Sequence, residues 1–128
     1  MMRSSRIVFV SPSRWCDRVQ HIIDAATDIG NFIEGMTYER FVANRIVTSA
    51  VAYQITIIGE ASMHIPPAVR DRYPEVPWLD MRAMRNLLAH HYFRLDRSVL
   101  WDTATVDIPA LIPLMQGLAD AECQESSR

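Results

Sequence analysis

This chain of 128 residues contains no lysine, and all 13 of its basic residues are arginine. Each cation is therefore a planar guanidinium, which can pair with a phosphate or a carboxylate through two parallel hydrogen bonds. The net charge of −2 excludes a globally basic nucleic-acid binder, although it leaves room for a local basic patch. Hydrophobic residues make up 49% of the chain, which excludes a disordered protein and predicts a single globular domain.

Cysteine and long apolar runs are also scarce. Cys16 and Cys123 lie near opposite ends of the chain and form neither a C-x-x-C pair nor a zinc-binding spacing. This pattern predicts two free thiols in a reducing, cytoplasmic compartment. No run approaches the roughly 18 apolar residues that a membrane span requires, so we expect no membrane partner. The apolar stretch in Met1–Val10 is too short for a signal peptide and is predicted to be an N-terminal tail.

The chain has only four glycines and long intervals between turn signals, which together favour helices. Ser11-Pro12-Ser13 predicts the start of a first helix, whose apolar residues recur every three or four positions until Gly35 ends it. Later helices are predicted at 38–63, 68–73 and 78–92, in a segment from Asp96, and in a last helix that Asp107 caps. These elements predict an all-α, up-and-down antiparallel bundle of four to five helices.

The same periodicity predicts the domain limits and the core faces. We expect a tail at 1–12, one helical domain at 13–121 and a frayed tail at 122–128. The second helix is predicted to be continuous, with inward rows formed by Phe41, Val42, Arg45, Ile46, Ser49, Ala50, Tyr53, Ile57 and Ala61. The helix that begins at Trp78 is predicted to have a core face formed by Leu79, Ala83, Met84, Leu87, Leu88 and His91.

The densest group of polar side chains lies in R-N-L-L-A-H-H-Y-F, from Arg85 to Phe93. Arg82, Asn86 and His90 are spaced by four residues, so they share one row of a helix, and Arg85 lies three residues from Arg82. Arginine binds phosphate oxygens, and histidine transfers protons near neutral pH. The group therefore suits a phosphodiester, with Arg82 and Arg85 as the predicted phosphate-binding residues.

Simpler structural interpretations compete with this one. An arginine and a histidine on one helix are usually surface groups or members of a salt bridge, so the spacing alone does not establish a nuclease. Trp78 and Trp101 are predicted to be core anchors rather than base-stacking platforms. A metal site would draw on Glu60, His64, His90 and His91. No third ligand is dictated by spacing, so no metal is expected, and Glu60 is predicted to pair with an arginine as a support of the cleft.

The stretch from Arg85 resembles the R-x4-H-x-Y motif of the HepT-like toxins in the HEPN superfamily. Arg85, His90 and Tyr92 match its three positions, and Asn86 matches the polar residue that usually follows the arginine. Other segments resemble family landmarks in the family's order: I-I-G-E-A-S at 57–62, Y-P-E-V-P-W at 73–78, L-W-D-T at 100–103 and D-I-P-A-L at 107–111. This ordered set, spread from about residue 13 to residue 118, is more specific than the short motif alone.

The resemblance implies a homodimer in which the motif helices face each other across a shared cleft. It implies a toxin that cleaves tRNA or mRNA, with Arg85, Asn86 and His90 as catalytic residues. It also implies a partner, a minimal nucleotidyltransferase antitoxin that transfers AMP to Tyr92. The chemistry would need no metal or cofactor, because His90 would move protons while Arg85 stabilises phosphate charge, leaving a 2′,3′-cyclic phosphate.

The chain departs from the family pattern at two places. Asn44 stands where many family members carry an acid, and the tail before Ser11 has no counterpart in the pattern.

The alternative function is that of a non-catalytic dimeric HEPN module, which binds RNA or a nucleotidyltransferase partner without turnover. The intact Arg85 and His90 favour the enzyme.

Overall fold

The computed structural model describes residues 14–123, so the predicted tail at 1–12 and the predicted helix start at Ser11-Pro12-Ser13 lie outside the described part. The α-helices are α1 (Arg14–Ile33), α2 (Tyr38–Ala43), α3 (Arg45–Ser62), α4 (Pro67–Arg72), α5 (Trp78–His91), α6 (Arg97–Asp102) and α7 (Ile108–Glu122). A 3-10 turn (Tyr92–Arg94) follows α5, and a π-helical segment (Thr103–Asp107) joins α6 to α7. Residues 14–123 contain no strand, which confirms the all-α prediction.

The core is built around α1, which packs against α3 and α7, while α3 also packs against α5. The predicted apolar stripe of α1 is confirmed, because its buried residues include Val19, Ile22, Ile23, Ala26 and Ile29. The chain leaves α1 through Gly35, whose φ of 76° lies in the left-handed region that glycine adopts without a steric penalty. The prediction that Gly35 ends the first helix is therefore confirmed.

The predicted continuous second helix is wrong, because the chain breaks it at Asn44. The backbone of Asn44 is extended, with φ −107° and ψ 98°, and its side-chain Oδ1 accepts a hydrogen bond from the Val47 backbone N–H at 3.0 Å. Asn44 thus ends α2 and caps α3, since asparagine satisfies a free N–H at a helix start. The apolar periodicity on both sides carries no signal for this interruption.

The predicted inward rows of the second helix are partly wrong: Phe41 and Ala61 are buried as predicted, but the buried side of α3 is rotated relative to the prediction. Ile46 and Tyr53, both assigned to the core, are 82% and 63% exposed. The buried residues of α3 are Thr48, Val51, Ala52, Ile55, Ile58, Gly59, Ala61 and Ser62. Apolar residues occur on most sides of this helix, so sequence periodicity does not decide which side faces α1 and α5.

The predicted core face of α5 is also partly wrong. Met81 and Leu88 are the buried residues of this helix, whereas Leu79 is 78% exposed and His91 is exposed. The helix packs mainly against α3, so only a narrow side of it is covered. The two tryptophans do contact the interior as predicted, since Trp78 and Trp101 are half-buried against the core.

Asp107 does not cap the last helix, contrary to the prediction. It closes the π-helical segment with helical φ and ψ of −72° and −42°, and its side chain makes no capping hydrogen bond. The helical path therefore continues from α6 into α7. Asp96 does start α6 as predicted, because its Oδ1 accepts from the Ser98 backbone N–H at 2.8 Å. This hydrogen bond lowers the pKa of the Asp96 carboxyl below its ordinary value.

The two cysteines form a disulfide, so the predicted free thiols are wrong. Cys16, at the start of α1, is bonded to Cys123, just after α7, with a Cα–Cα distance of 5.9 Å. Because α1 and α7 also pack against each other, a bond from the beginning of α1 to the end of α7 shows that the two helices run antiparallel. The expectation of a reducing compartment rested on free thiols, so the structure does not support it.

The end of α7 is also attached to α4. The Glu122 carboxylate accepts hydrogen bonds from Arg72 Nη2 at 2.7 Å, from Arg72 Nε at 3.1 Å and from the Tyr73 hydroxyl at 2.9 Å. The bonds from Arg72 and then from Tyr73 lower the pKa of Glu122, while burial acts in the opposite direction. Glu122 and Cys123, assigned to the start of the frayed tail, are thus tied to the domain; residues 124–128 lie outside the described range.

Within residues 14–123, no helix combines the length and the apolar character that crossing a membrane requires.

Candidate active site

The helix that carries the motif is brought unusually close to α3 at Gly59. A Cβ atom placed on Gly59 would lie 2.3 Å from Arg85 Cβ and 2.8 Å from the Met81 carbonyl oxygen, distances at which something must shift. Only a residue without a side chain permits this approach. The G-E pair of the I-I-G-E-A-S segment therefore has two roles. Gly59 allows α5 to pack closely against α3, and the neighbouring Glu60 forms an ion pair with Arg85.

The Arg85 guanidinium is held on two sides. Glu60 Oε2 accepts from Arg85 Nε at 3.1 Å and from Nη2 at 2.5 Å, and Asn86 Oδ1 accepts from Nη1 at 2.9 Å. The structure thus brings Glu60, Arg85 and Asn86 together. A guanidinium has five N–H donors, so these contacts leave one on Nη1 and one on Nη2. The remaining pair of terminal donors can bind two oxygens of one phosphate.

Arg82 and His90, the other two polar residues that the sequence predicts for the site on α5, are exposed. No hydrogen bond or ion pair to the side chain of either residue occurs within residues 14–123, so both side chains are available to an external ligand. The structure places them on the same helix as Arg85 without a direct contact between them. A ligand that spans the helix surface would bring their charges together.

Tyr92 lies directly after α5, in the 3-10 turn. Its ring is half-buried and stands edge-on to the ring of Phe93, with a centroid distance of 5.7 Å and an interplanar angle of 64°. Both rings line a small cavity of about 110 Å³ together with Leu95, Arg97 and Leu100. Arg97 Nη1 donates to the Val42 carbonyl oxygen at 2.5 Å, which fixes the guanidinium at this cavity.

The histidines and acids do not assemble into a metal centre in the described part of the chain. Among residues 14–123, no group of three or more His, Cys, Asp or Glu side chains is arranged to hold a metal ion. Glu60, the first member of the alternative metal set, is instead engaged by Arg85. The structure therefore lends no support to the hypothesis of a site built from Glu60, His64, His90 and His91.

Two residues of the site were not singled out by the sequence analysis. Gly59 was present in a family-like segment, but its close approach to Arg85 depends on the packing of α3 against α5. Phe93 is 99% exposed, and no periodic pattern distinguishes it from a core residue. The only sequence signal for its exposure is its position between the motif tyrosine and Arg94, at the end of a helix.

The fold and the site define an all-α protein whose Arg, Asn and His residues lie on a helix at the side of the core. Comparison with family models gives a match over residues 22–118 to the family described as "Ribonuclease HepT-like". The chain belongs to this HepT-like family.

Relatives of known name agree with this assignment. The chain is 39% identical over 95 residues to "Probable ribonuclease HepT" of Thermococcus cleftensis, a match that covers 74% of this chain and 86% of that protein. It is 38% identical over 90 residues to "Putative RNase MJ1216" of Methanocaldococcus jannaschii, covering 70% of this chain and 74% of that protein. No solved structure matches the chain.

Proposed function

We propose that the protein is a metal-independent endoribonuclease that cleaves tRNA or mRNA, and that it acts in the cytoplasm, where these substrates are found. The observation that carries this proposal is the arrangement of Arg85, which Glu60 and Asn86 orient while two terminal N–H donors stay available for a phosphate. Exposed Arg82 offers a second phosphate-binding group on the same helix. Membership of a ribonuclease family and relatives with ribonuclease names support RNA as the substrate.

The proposed reaction is an internal transesterification followed by release of the downstream RNA. The ribose 2′-oxygen attacks the adjacent phosphorus, and the bond from phosphorus to the 5′-oxygen of the next nucleotide breaks. His90 accepts the 2′-hydroxyl proton or donates a proton to the 5′-oxygen, and the partner subunit's His90 or water takes the other step. Arg85 stabilises the added negative charge on the phosphate, and Asn86 orients Arg85. The products are a 2′,3′-cyclic phosphate and a 5′-hydroxyl.

We propose that the active form is a homodimer in which the α5 helices face each other. The exposed apolar residues Leu79 on α5 and Ile46 and Tyr53 on α3 support this, because covering them would stabilise the assembly by roughly 25 cal/mol per Å² of buried apolar surface. A two-fold axis would also place two copies of the basic groups beside one cleft. Such doubling would offset the overall net charge of −2 at the point where RNA binds.

We also propose that the protein is the toxin of a toxin–antitoxin pair whose nucleotidyltransferase partner modifies Tyr92. The Tyr92 oxygen would attack the α-phosphorus of ATP, forming a phosphodiester bond and releasing pyrophosphate. The attached AMP would carry a negative charge into the turn directly after α5, close in the chain to His90. It would compete with RNA for the guanidinium groups and fill the space in front of them.

Cleavage of a defined RNA by the purified protein tests the proposed enzyme. We expect His90→Ala and Arg85→Lys each to lower kcat by about 100-fold or more, since His90 transfers a proton in the transition state and Arg85 stabilises the charge that the phosphate gains there. EDTA should leave the rate unchanged. Circular dichroism and light scattering check the fold and the dimer of each variant. Full activity of His90→Ala would contradict the mechanism, and RNA binding without turnover in the unmodified protein would favour the non-catalytic module.

Incubation with a cognate nucleotidyltransferase and ATP tests the modification. We expect a mass increase of one or more AMP units on a peptide that contains Tyr92, together with loss of RNase activity. Tyr92→Phe should stay active and resist silencing, because the phenyl ring preserves the packing and lacks the acceptor oxygen. AMP on a different residue, or silencing of Tyr92→Phe by AMP transfer, would refute the assignment.

A further inference from the structure

Phe93 is the most exposed large apolar side chain in the described part of the protein, at 99%. A phenylalanine that stays in water forgoes the hydrophobic stabilisation that a core position provides. Leu100, which lines the same cavity, is buried, and Leu95 is half-buried, whereas the ring of Phe93 lies in solvent. The ring of Phe93 is thus available to a ligand or partner.

The surroundings of Phe93 are cationic and aromatic. Arg94 follows it in the chain and is exposed, and Arg97 lines the same cavity as Phe93 and Tyr92. A volume of about 110 Å³ is well below the roughly 300 Å³ at which pockets for whole small molecules begin. The cavity therefore suits a single flat ring held by an aromatic face, with a guanidinium at its side.

The position of Phe93 ties this ring to the proposed active site. Phe93 is three residues after His90, so their Cα atoms lie within about 11 Å of each other whatever the path of the backbone. An RNA whose phosphate lies at Arg85 and His90 would therefore bring an adjacent nucleotide to the 3-10 turn. Single-stranded RNA is bound in this way elsewhere, by cations that hold the backbone and aromatic rings on which bases stack.

We infer that Phe93 is a base-stacking residue of the RNA site, which holds the nucleobase next to the scissile phosphate, with Arg97 beside it. This inference rests on the proposed ribonuclease function. In this role Phe93 positions the substrate strand beside His90 and Arg85. The 2′-oxygen then lies in line with the bond between phosphorus and the 5′-oxygen that breaks. Stacking accepts any base, so Phe93 contributes affinity and register rather than a hydrogen-bonded sequence preference.

Kinetics of the Phe93 variants separate stacking from a structural role. We expect Phe93→Ala to weaken RNA binding by about 5- to 150-fold, the range that corresponds to the loss of one stacked base. Phe93→Trp should restore binding, because it restores an aromatic face. Phe32→Ala removes an exposed phenylalanine from α1, outside α5 and its turn, and serves as the matched control that leaves binding unchanged.

Removal of the base itself supplies the decisive comparison. RNAs with one abasic nucleotide, placed in turn on either side of the cleavage site, are titrated into proteins that also carry His90→Ala to prevent cleavage. At the stacked position, loss of the base and Phe93→Ala should not weaken binding additively, since both remove the same contact. A 2-aminopurine at that position should change its fluorescence on binding, and the change should disappear with Phe93→Ala.

Three other results would each contradict a different part of the proposal. If RNA binds with the same affinity and the same fluorescence change after Phe93→Ala, the stacking role is wrong and the ribonuclease proposal stands. If Phe93→Ala abolishes the dimer in light scattering, and abasic RNA shows additive losses, Phe93 is a contact between two copies of this chain. If the unmodified protein neither binds nor cleaves RNA, the proposed function fails and the inference fails with it.

Discussion

Glu60 holds Arg85 along one edge of its guanidinium, with Oε2 accepting from Nε at 3.1 Å and from Nη2 at 2.5 Å. The two residues lie on α3 and α5, so their contact sets the orientation of Arg85 relative to the core. The side chains are 41% and 25% exposed, and exposed pairs of this kind contribute only about 0–1 kcal/mol to stability. The main consequence of the contact is therefore the orientation of the remaining Arg85 donors.

Glu60→Ala is expected to lower kcat for RNA cleavage by about 10- to 100-fold, because Arg85 loses its fixed position. The KM should change little or fall, since a negative charge near the substrate is removed. Glu60→Gln keeps one acceptor and should retain part of the activity. Glu34→Ala removes the same charge from the exposed end of α1 and should behave like the unmodified protein. An unchanged kcat for Glu60→Ala would show that Arg85 needs no support.

Gly59→Ala is expected to lower the free energy of unfolding by about 1–3 kcal/mol and to reduce activity. The added methyl group would meet Arg85 Cβ at 2.3 Å, so α3 and α5 must separate. Gly117→Ala is the matched control, because a Cβ at Gly117 has nothing within 4 Å and alanine favours a helix. Urea unfolding of the two variants should therefore shift in opposite directions. A stable and active Gly59→Ala variant would contradict the close packing of α3 against α5.

Asn44→Ala is expected to destabilise the fold by about 1 kcal/mol, because the Val47 N–H at the start of α3 loses its acceptor. Asn44→Asp keeps a side-chain oxygen at the same place and should be close to the unmodified protein in stability. The midpoints of urea unfolding measure both changes, and equal losses for Ala and Asp would rule out the capping role.

The hydrogen bonds of Glu122 with Arg72 and Tyr73 are expected to make the protein less stable in acid. Its folded pKa is below the ordinary value of 4.5, because Arg72 and Tyr73 donate hydrogen bonds to the carboxylate. A lowered pKa means that the stabilisation is complete above about pH 4.5 and is lost as the pH falls through the folded pKa. Thermal unfolding between pH 6 and pH 3 should thus show a steeper acid loss for the unmodified protein than for Glu122→Gln. Parallel curves would assign the acid loss to other groups.

The Cys16–Cys123 disulfide is expected to contribute roughly 2–5 kcal/mol, because it closes a loop across most of the chain. The double variant Cys16→Ser/Cys123→Ser should unfold at a lower urea concentration, and a reductant should destabilise the unmodified protein alone. Thiol titration of the native protein gives the independent check. Two reactive thiols in protein purified without reductant would show that the bond does not form in solution.

The α3 helix shows where sequence reasoning reaches its limit. Its helical character follows from spacing, but its rotation does not, since the exposed residues Ile46 and Tyr53 also fit an apolar stripe. Gly59 lies on the buried side of α3 and admits α5 there, a close approach that appears only in the packed structure. The local hydrogen bond at Asn44 then interrupts the helix that spacing alone predicts to be continuous.

Local sequence patterns alone predict the all-α class, the apolar stripe of α1 and the candidate residues of α5. These depend on local periodicity and on the spacing of a motif within one helix, which are properties of neighbouring residues. The sequence predicts that Glu60 pairs with an arginine, and the packing of the helices identifies that arginine as Arg85. The packing also leaves Phe93 in solvent and joins Cys16 to Cys123. Each of these depends on which faces of distant helices pack together, and residues 25 or 107 positions apart carry no periodic signal of their contact.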